Sequence, residues 1–328
     1  MKAIVCTEYG LPEILELREV EKPIPKDNEV LVEVHASSVT VHNLVLVRGK
    51  PFFVRLMGNG LLKPKISIPG SDVAGRIEAV GRNATQFRPG DEVYGDLSPC
   101  GFGAFAEYVS VPEDALALKP TNISFEEAAG VPQAALVALQ GLRDKGQIKA
   151  GQKVLVNGAS GGIGTFAVQI AKYFGAEVTG VCSTKNLDMV RSLGADHVID
   201  YTKEDFTKSG QRYDLIFATA YRSILDCKRI LRPQGIYVST GGPGMARIFQ
   251  DMLLGPLISR NGGKKLVGGW VLVPNKDLAF MSELIEAGRV KPVIDRRYLL
   301  SEAAEAFRYF GEGHARGKVV ITVGHNKI

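Results

Sequence analysis

Up to about residue 120, apolar and polar positions alternate in short runs: Ala3–Cys6, Leu15–Val20, Val30–His35, Asp72–Val80, Glu92–Tyr94, Ala106–Val109 and Leu116–Lys119. Pro23 and Pro25, Lys26-Asp27-Asn28, Gly81-Arg82-Asn83 and Arg88-Pro89-Gly90-Asp91 punctuate them. Period-two runs bounded by such residues predict strands, and their spacing predicts a partly closed barrel. The pattern changes near Ser124. Ser124-Phe125-Glu126-Glu127 has the order of a capping box, and the alanine-rich run through Leu142 predicts one long helix.

From Lys153 to about Ser239, Val154–Val156, Glu177–Val181, His197–Asp200, Leu215–Ala218 and Gly235–Val238 read as strands. Phe166–Tyr173, Leu187–Ser192 and Tyr221–Ile230 read as helices between them. That alternation predicts a doubly wound α/β unit with a parallel sheet. Beyond it, Leu266–Val273, Arg297–Leu300 and Gly317–Val323 read as strands, and Asp277–Glu286 and the segment from Ser301 as helices. This β-rich tail is expected to return to the first unit. Residues 1–123 and 266–328 then form a substrate domain and 124–265 a nucleotide-binding domain, with the cleft between them as the default site.

Within the α/β unit, Val154–Val156 lead into Gly158-Ala159-Ser160-Gly161-Gly162-Ile163-Gly164. An apolar-periodic run through Ala167, Ile170, Ala171 and Phe174 follows and ends at Gly175. Glycines between a strand and a helix let backbone approach a pyrophosphate, and the helix N-terminus offers free N–H groups. The context fits a dinucleotide site; the alternative is a tight turn without a ligand. About 20 residues past such a turn, an NAD site carries Asp or Glu for the ribose hydroxyls. Here the sequence reads Cys182-Ser183-Thr184-Lys185. Two hydroxyls and an ammonium suit a 2′-phosphate, which points to NADP(H).

At 328 residues the chain suits two domains, and 45% hydrophobic and 23% charged residues are ordinary for a globular protein. A net charge of +5 is compatible with a polyanionic cofactor, and no basic run suggests nucleic acid. Cys6, Cys100, Cys182 and Cys227 are scattered without metal or disulfide spacing. Reduced thiols, with no signal or transit pattern in the opening MKAIVCTEYG, predict a cytoplasmic protein.

Several motifs together resemble the zinc-free quinone oxidoreductase branch of the medium-chain dehydrogenase/reductase superfamily. They are Pro69-Gly70-Ser71-Asp72-Val73-Ala74-Gly75 with Glu78-Ala79-Val80-Gly81, Phe87-Arg88-Pro89-Gly90-Asp91-Glu92-Val93, and Gly103-Ala104-Phe105-Ala106-Glu107-Tyr108. The glycine turn, Leu193-Gly194-Ala195-Asp196, Asp200-Tyr201 and Gly317-Lys318-Val319-Val320 continue the likeness. The resemblance implies a GroES-like β-barrel catalytic domain, a Rossmann domain and a homodimer. It also implies that Lys185 and Tyr201, with Ser183 and Thr184, meet the adenosine phosphate, joined by Arg316. Tyr201 equally suits a buried strand end. The nicotinamide half is implied near Thr219, Thr240-Gly241 and Trp270-Val271-Leu272.

By the same resemblance, the zinc-ligand slots of the alcohol dehydrogenases fall at Thr40, Ser71 and near Gln133, and none is Cys or His. No zinc is expected. Without a Lewis acid a simple ketone is hard to polarise, whereas hydride addition to a quinone or conjugated carbonyl needs less help, because its charge delocalises onto oxygen and can be met by hydrogen bonds. Relatives carry Asn and Asp where this chain has Thr40-Val41-His42-Asn43, and a threonine where it has Val137. Thr40, His42 and Asn43 remain the catalytic candidates, with His42 the proton donor near neutral pH. The leading reading is an NADPH-dependent quinone or enone reductase. A zinc-independent alcohol or aldehyde oxidoreductase and a non-catalytic NADPH-binding regulatory module stay open. The segment 50–63, apolar residues interleaved with bases, favours a substrate-cleft loop over a dimer contact or weak peripheral membrane contact.

Overall fold

The computed structural model describes residues 1–52, 54–56, 60–240, 263–268 and 275–325. The chain divides into two compact units: Met1–Gln133 with Pro274–Gly288 and Pro292–Ile328, and Ala134–Val273 with Arg289–Lys291. The boundaries differ from those expected at 123/124 and 265/266. Phe125–Ala129 falls in the first unit because that helix packs on the strands Glu29–Val39 and Asp72–Val80. Lys265–Gly268 falls in the second because it pairs in parallel with Leu231–Ser239. The rest of the strand expected over 266–273 lies outside the described residues.

In the second unit, Val154, Leu155 and Val156 are fully buried, as a strand covered on both faces requires. Among the described residues the sheet runs His197–Asp200, Glu177–Cys182, Lys153–Asn157, Tyr213–Ala218, Leu231–Ser239, Lys265–Gly268, all parallel. Counted along the chain this is the order 3-2-1-4-5-6, the doubly wound arrangement with a crevice where the winding reverses. The helix Gly162–Tyr173 buries Phe166, Ala167, Ile170 and Ala171. Gly175, at φ 76°, takes the left-handed turn beyond it.

The alanine-rich stretch is not one helix. Phe125–Ala129 stops at Gly130, and Pro132 opens a second helix, Pro132–Gln140. Proline has no N–H to continue a helix and disfavours helical backbone in the residue before it. A π-helical turn, Gly141–Lys145, ends the run.

In the first unit, Glu29–Val39 is the spine. Asp72–Val80 lies antiparallel along one edge; Tyr108–Pro112 and Lys318–Thr322 share the other. Phe105 and Phe307 meet edge to face at 5.7 Å in the core beneath it. A helix that the alternating pattern did not announce, Val41–Arg48, follows the spine directly.

Candidate active site

The nucleotide turn is built by close backbone approach. A Cβ at Gly158, where φ is 88°, would stand 2.4 Å from Thr219 Oγ1, and one at Gly164 would stand 2.0 Å from the Gly158 carbonyl oxygen. Neither position has room for a side chain. Ala159 is buried, with its N–H on the Val181 carbonyl at 3.0 Å. Gly161 caps the helix without a side chain, so the first-turn amides of Gly162, Ile163 and Gly164 meet no capping oxygen there.

Asn186 ties this turn to the loop after Glu177–Cys182. Its Nδ2 donates to Ser160 Oγ at 3.0 Å and to Ser183 Oγ at 3.2 Å. Its Oδ1 is buried without a hydrogen-bond partner, a costly arrangement that a ligand donor would relieve. Thr184 and Lys185 are exposed on the same loop. Tyr201 is 60% exposed, which excludes the buried strand-end reading.

An acidic residue does reach this loop, from the next strand. Asp200 accepts from Thr184 Oγ1 at 2.5 Å and from Thr202 N and Oγ1 at 3.0 and 2.6 Å. Those hydroxyls, Thr184 first, hold its carboxyl below the usual range. Thr219 Oγ1 donates to the Asn157 carbonyl at 3.0 Å, and Thr240 N to Ala218 O at 3.1 Å. Gly241, Trp270, Val271 and Leu272 lie outside the described residues. Arg316 belongs to the first unit, where its amide donates to Asp295 Oδ2 at 2.9 Å. The glycine cradle, the uncapped helix start and the orphaned Asn186 oxygen fit a dinucleotide.

In the first unit a buried polar cluster gathers around Asp72. Its Oδ2 accepts from Ser38 Oγ at 2.5 Å and Lys318 Nζ at 3.1 Å, and its Oδ1 from Gln133 N at 3.0 Å. Gln133 Nε2 lies 2.8 Å from His42 Nδ1. With the amide donating, the ring proton sits on His42 Nε2. Burial lowers the His42 pKa, and the charge of Asp72 partly offsets this. Asp96 is pushed up to about 6, by burial first and by Asp72 second.

Thr40 and Asn43 form a capping box at the start of Val41–Arg48. Asn43 Oδ1 accepts from Thr40 N at 3.0 Å, and Thr40 Oγ1 accepts from Asn43 N at 3.3 Å. Both side chains are buried and shape the helix start; Asn43 Nδ2 has no partner. The zinc-ligand slots that the resemblance implies fall at Thr40, Ser71 and near Gln133. Thr40 Oγ1 and Ser71 Oγ lie 3.1 Å apart in one hydrogen bond, while the Gln133 amide meets His42. Zinc takes thiolate, imidazole or carboxylate; two hydroxyls and an amide do not fit it.

Sequence reasoning missed Asn186 and the roles of Asp72, Asp200, Gln133 and Lys318. Asp72 and Lys318 stood inside motifs already noted, but nothing in their spacing joined them. Of segment 50–63, Phe53 and residues 57–59 are outside the described residues; Phe52, Leu56, Leu61 and Leu62 are exposed. Arg55 stacks over the Tyr9 ring at 4.3 Å. Among the described residues, no helix is long and apolar enough to cross a membrane.

Comparison with known proteins agrees with this geometry. The alcohol dehydrogenase GroES-like domain matches residues 26–121, and the zinc-binding dehydrogenase family matches residues 193–321. The chain is 34% identical to 2-methylene-furan-3-one reductase of Solanum lycopersicum, over 98% of this chain and 79% of that protein. It is 35% identical to the chloroplastic NADPH-dependent alkenal/one oxidoreductase of Arabidopsis thaliana, with the same coverage. Among solved structures, the quinone oxidoreductase of Coxiella burnetii superposes with a TM-score of 0.86 at 28% identity, over 99% of both chains.

Proposed function

Because the chain belongs to the zinc-free quinone oxidoreductase branch of the medium-chain dehydrogenases and reductases, we propose that it reduces quinones and α,β-unsaturated carbonyls with NADPH. It is an oxidoreductase with a nicotinamide cofactor. One observation carries the substrate class: the side chains in the zinc slots hydrogen-bond one another or His42 and leave no metal donor set. A carbonyl at such a site gains its electrophilicity from conjugation, and hydrogen bonds meet the charge that develops on oxygen.

When bound, NADPH supplies a hydride from C4. The chain's part is to hold the cofactor, orient the substrate and hydrogen-bond the oxygen on which charge develops. Gly158–Gly164 and Asn186 hold the pyrophosphate side, and Ser183, Thr184, Lys185 and Tyr201 the adenosine 2′-phosphate. Lys185 brings the positive charge, and the hydroxyls on Asp200 engage the nearby carboxylate that would otherwise favour NADH. His42 Nε2–H donates a hydrogen bond to the oxygen on which charge develops in this reading, Gln133 fixes its tautomer, and solvent supplies the proton.

The same reading places a homodimer in the cytoplasm, as four free cysteines suit a reducing compartment; light scattering on the purified chain reads the assembly. The activity is tested by steady-state NADPH and NADH oxidation with alkenals, enones, quinones, saturated ketones and aldehydes. Turnover confined to conjugated acceptors and preferring NADPH supports the proposal. Turnover only on saturated carbonyls, or tight NADPH binding with no turnover, overturns it.

A further inference from the structure

A second group of ligand-type side chains stands apart from the reductase machinery. Glu33 and His35 are two residues apart on the strand Glu29–Val39, so their side chains share a face. The strand Lys318–Thr322 runs antiparallel to it with Thr322 opposite Ala36, and Val323 N donates to His35 O at 2.9 Å. Two residues further along, that register brings His325 beside Glu33. One ligand atom each from Glu33, His35 and His325 lies within 4.8 Å of the others.

At His325 the hydrogen bonding leaves an acceptor facing an acceptor. His325 Nε2 meets the Val34 carbonyl at 2.7 Å, so the proton of the neutral ring is on Nε2. Its Nδ1 lone pair then points at Glu33 Oε1, 3.6 Å away. His35 Nε2 lies 3.4 Å from Glu33 Oε2 and is buried with no hydrogen-bond partner. Phe125 stacks on the His35 ring at 4.3 Å and fixes its plane. The cations around this face are engaged elsewhere: Lys22 on Glu78 at 2.6 Å and Arg76 on Glu92 at 2.9 Å.

Two imidazoles and a carboxylate are the donor types that zinc takes, and bonds of about 2.0–2.1 Å in a tetrahedron set ligand atoms about 3.3 Å apart. The 3.4 and 3.6 Å separations, one to each oxygen of Glu33, are close to that edge, and the three ligand atoms lie within 4.8 Å of one another before any ion draws them in. A backbone carbonyl on the far nitrogen of His325 is the outer-shell partner that metal-bound histidines have. We propose that Glu33, His35 and His325 bind a divalent transition metal of the zinc type, with water completing the set. The ion clips the chain after Lys318–Thr322 to the spine strand. It is unrelated to the catalytic zinc slots, and binding there is independent of reductase activity.

The test is calorimetric titration of the chelator-treated full chain with zinc chloride, with thermal unfolding in parallel. The expected result is one site per chain with Kd of about 1 μM or tighter, and a melting temperature that rises with zinc. His325→Ala and the near-isosteric Glu33→Gln should each weaken binding by about 10-fold or more, while their metal-free melting curves match the wild type. No saturable binding by the wild type, or equal binding by both variants, overturns the proposal.

Discussion

Lys318 Nζ lies 3.1 Å from Asp72 Oδ2, with both side chains buried in the first unit. Removing one partner leaves a buried charge uncompensated, which costs about 3–5 kcal/mol. Lys318→Met should therefore lose stability of that order in chemical denaturation. The Asp72→Asn, Lys318→Met double variant should lose less than the sum of the two single variants. Additive losses, or a Lys318→Met loss below about 1 kcal/mol, would show that the pair does not hold the cluster.

Asp96 supplies a pH signature. Its pKa is pushed up from 3.8 to about 6, by burial and then by Asp72. Between those values the folded chain keeps a proton that the unfolded chain has lost. The group's contribution is therefore fully present below about pH 4 and is lost as pH rises through about 6. Asp96→Asn keeps an acceptor for Ser98 and removes the ionisation. Its stability relative to wild type should rise from pH 4 to pH 7 by on the order of 2–3 kcal/mol. A difference that stays flat, or runs the other way, contradicts the assignment.

The α/β unit was legible because each strand and helix carries its own period and the glycine turn lies within one short stretch. Where the reading failed, the cause was nonlocal or a matter of single residues. Gly130 and Pro132 cut a helix that alanine content alone joins up. Val41–Arg48 was hidden because its start rests on a Thr40–Asn43 capping box with no acidic residue, and its end on Gly49 in left-handed backbone. Asp72, Gln133 and Lys318 meet only after the strands pair, as do Glu33, His35 and His325. The role of Asp200, noted only as part of a motif, escaped notice because it approaches the cofactor loop from the neighbouring strand.

Lys185 is exposed on the loop that also holds Ser183 and Thr184. A charge-assisted contact to a phosphate contributes about 1.5–3 kcal/mol. Lys185→Asp should thus weaken NADPH about 10- to 100-fold while NADH changes little, as read by cofactor titration. Unchanged NADPH affinity would remove Lys185 from the phosphate site.

His42 is held by Gln133 at 2.8 Å, with its Nε2–H as the hydrogen-bond donor to the developing charge in the proposed reaction. His42→Ala should lower kcat about 100-fold on enones, with a smaller change in KM. Full turnover of the variant on several quinones would end its catalytic role.

The central claim is direct hydride transfer to a conjugated carbon without a metal. It is tested most directly by incubating the chelator-treated enzyme with NADPH deuterated at C4 and an alkenone, then locating the label by NMR. The account predicts deuterium on the β-carbon of the saturated ketone, from one face of C4 only, at the same rate as enzyme not treated with chelator. Deuterium on the carbinol carbon of an allylic alcohol, or activity that returns only when zinc is added, would contradict it.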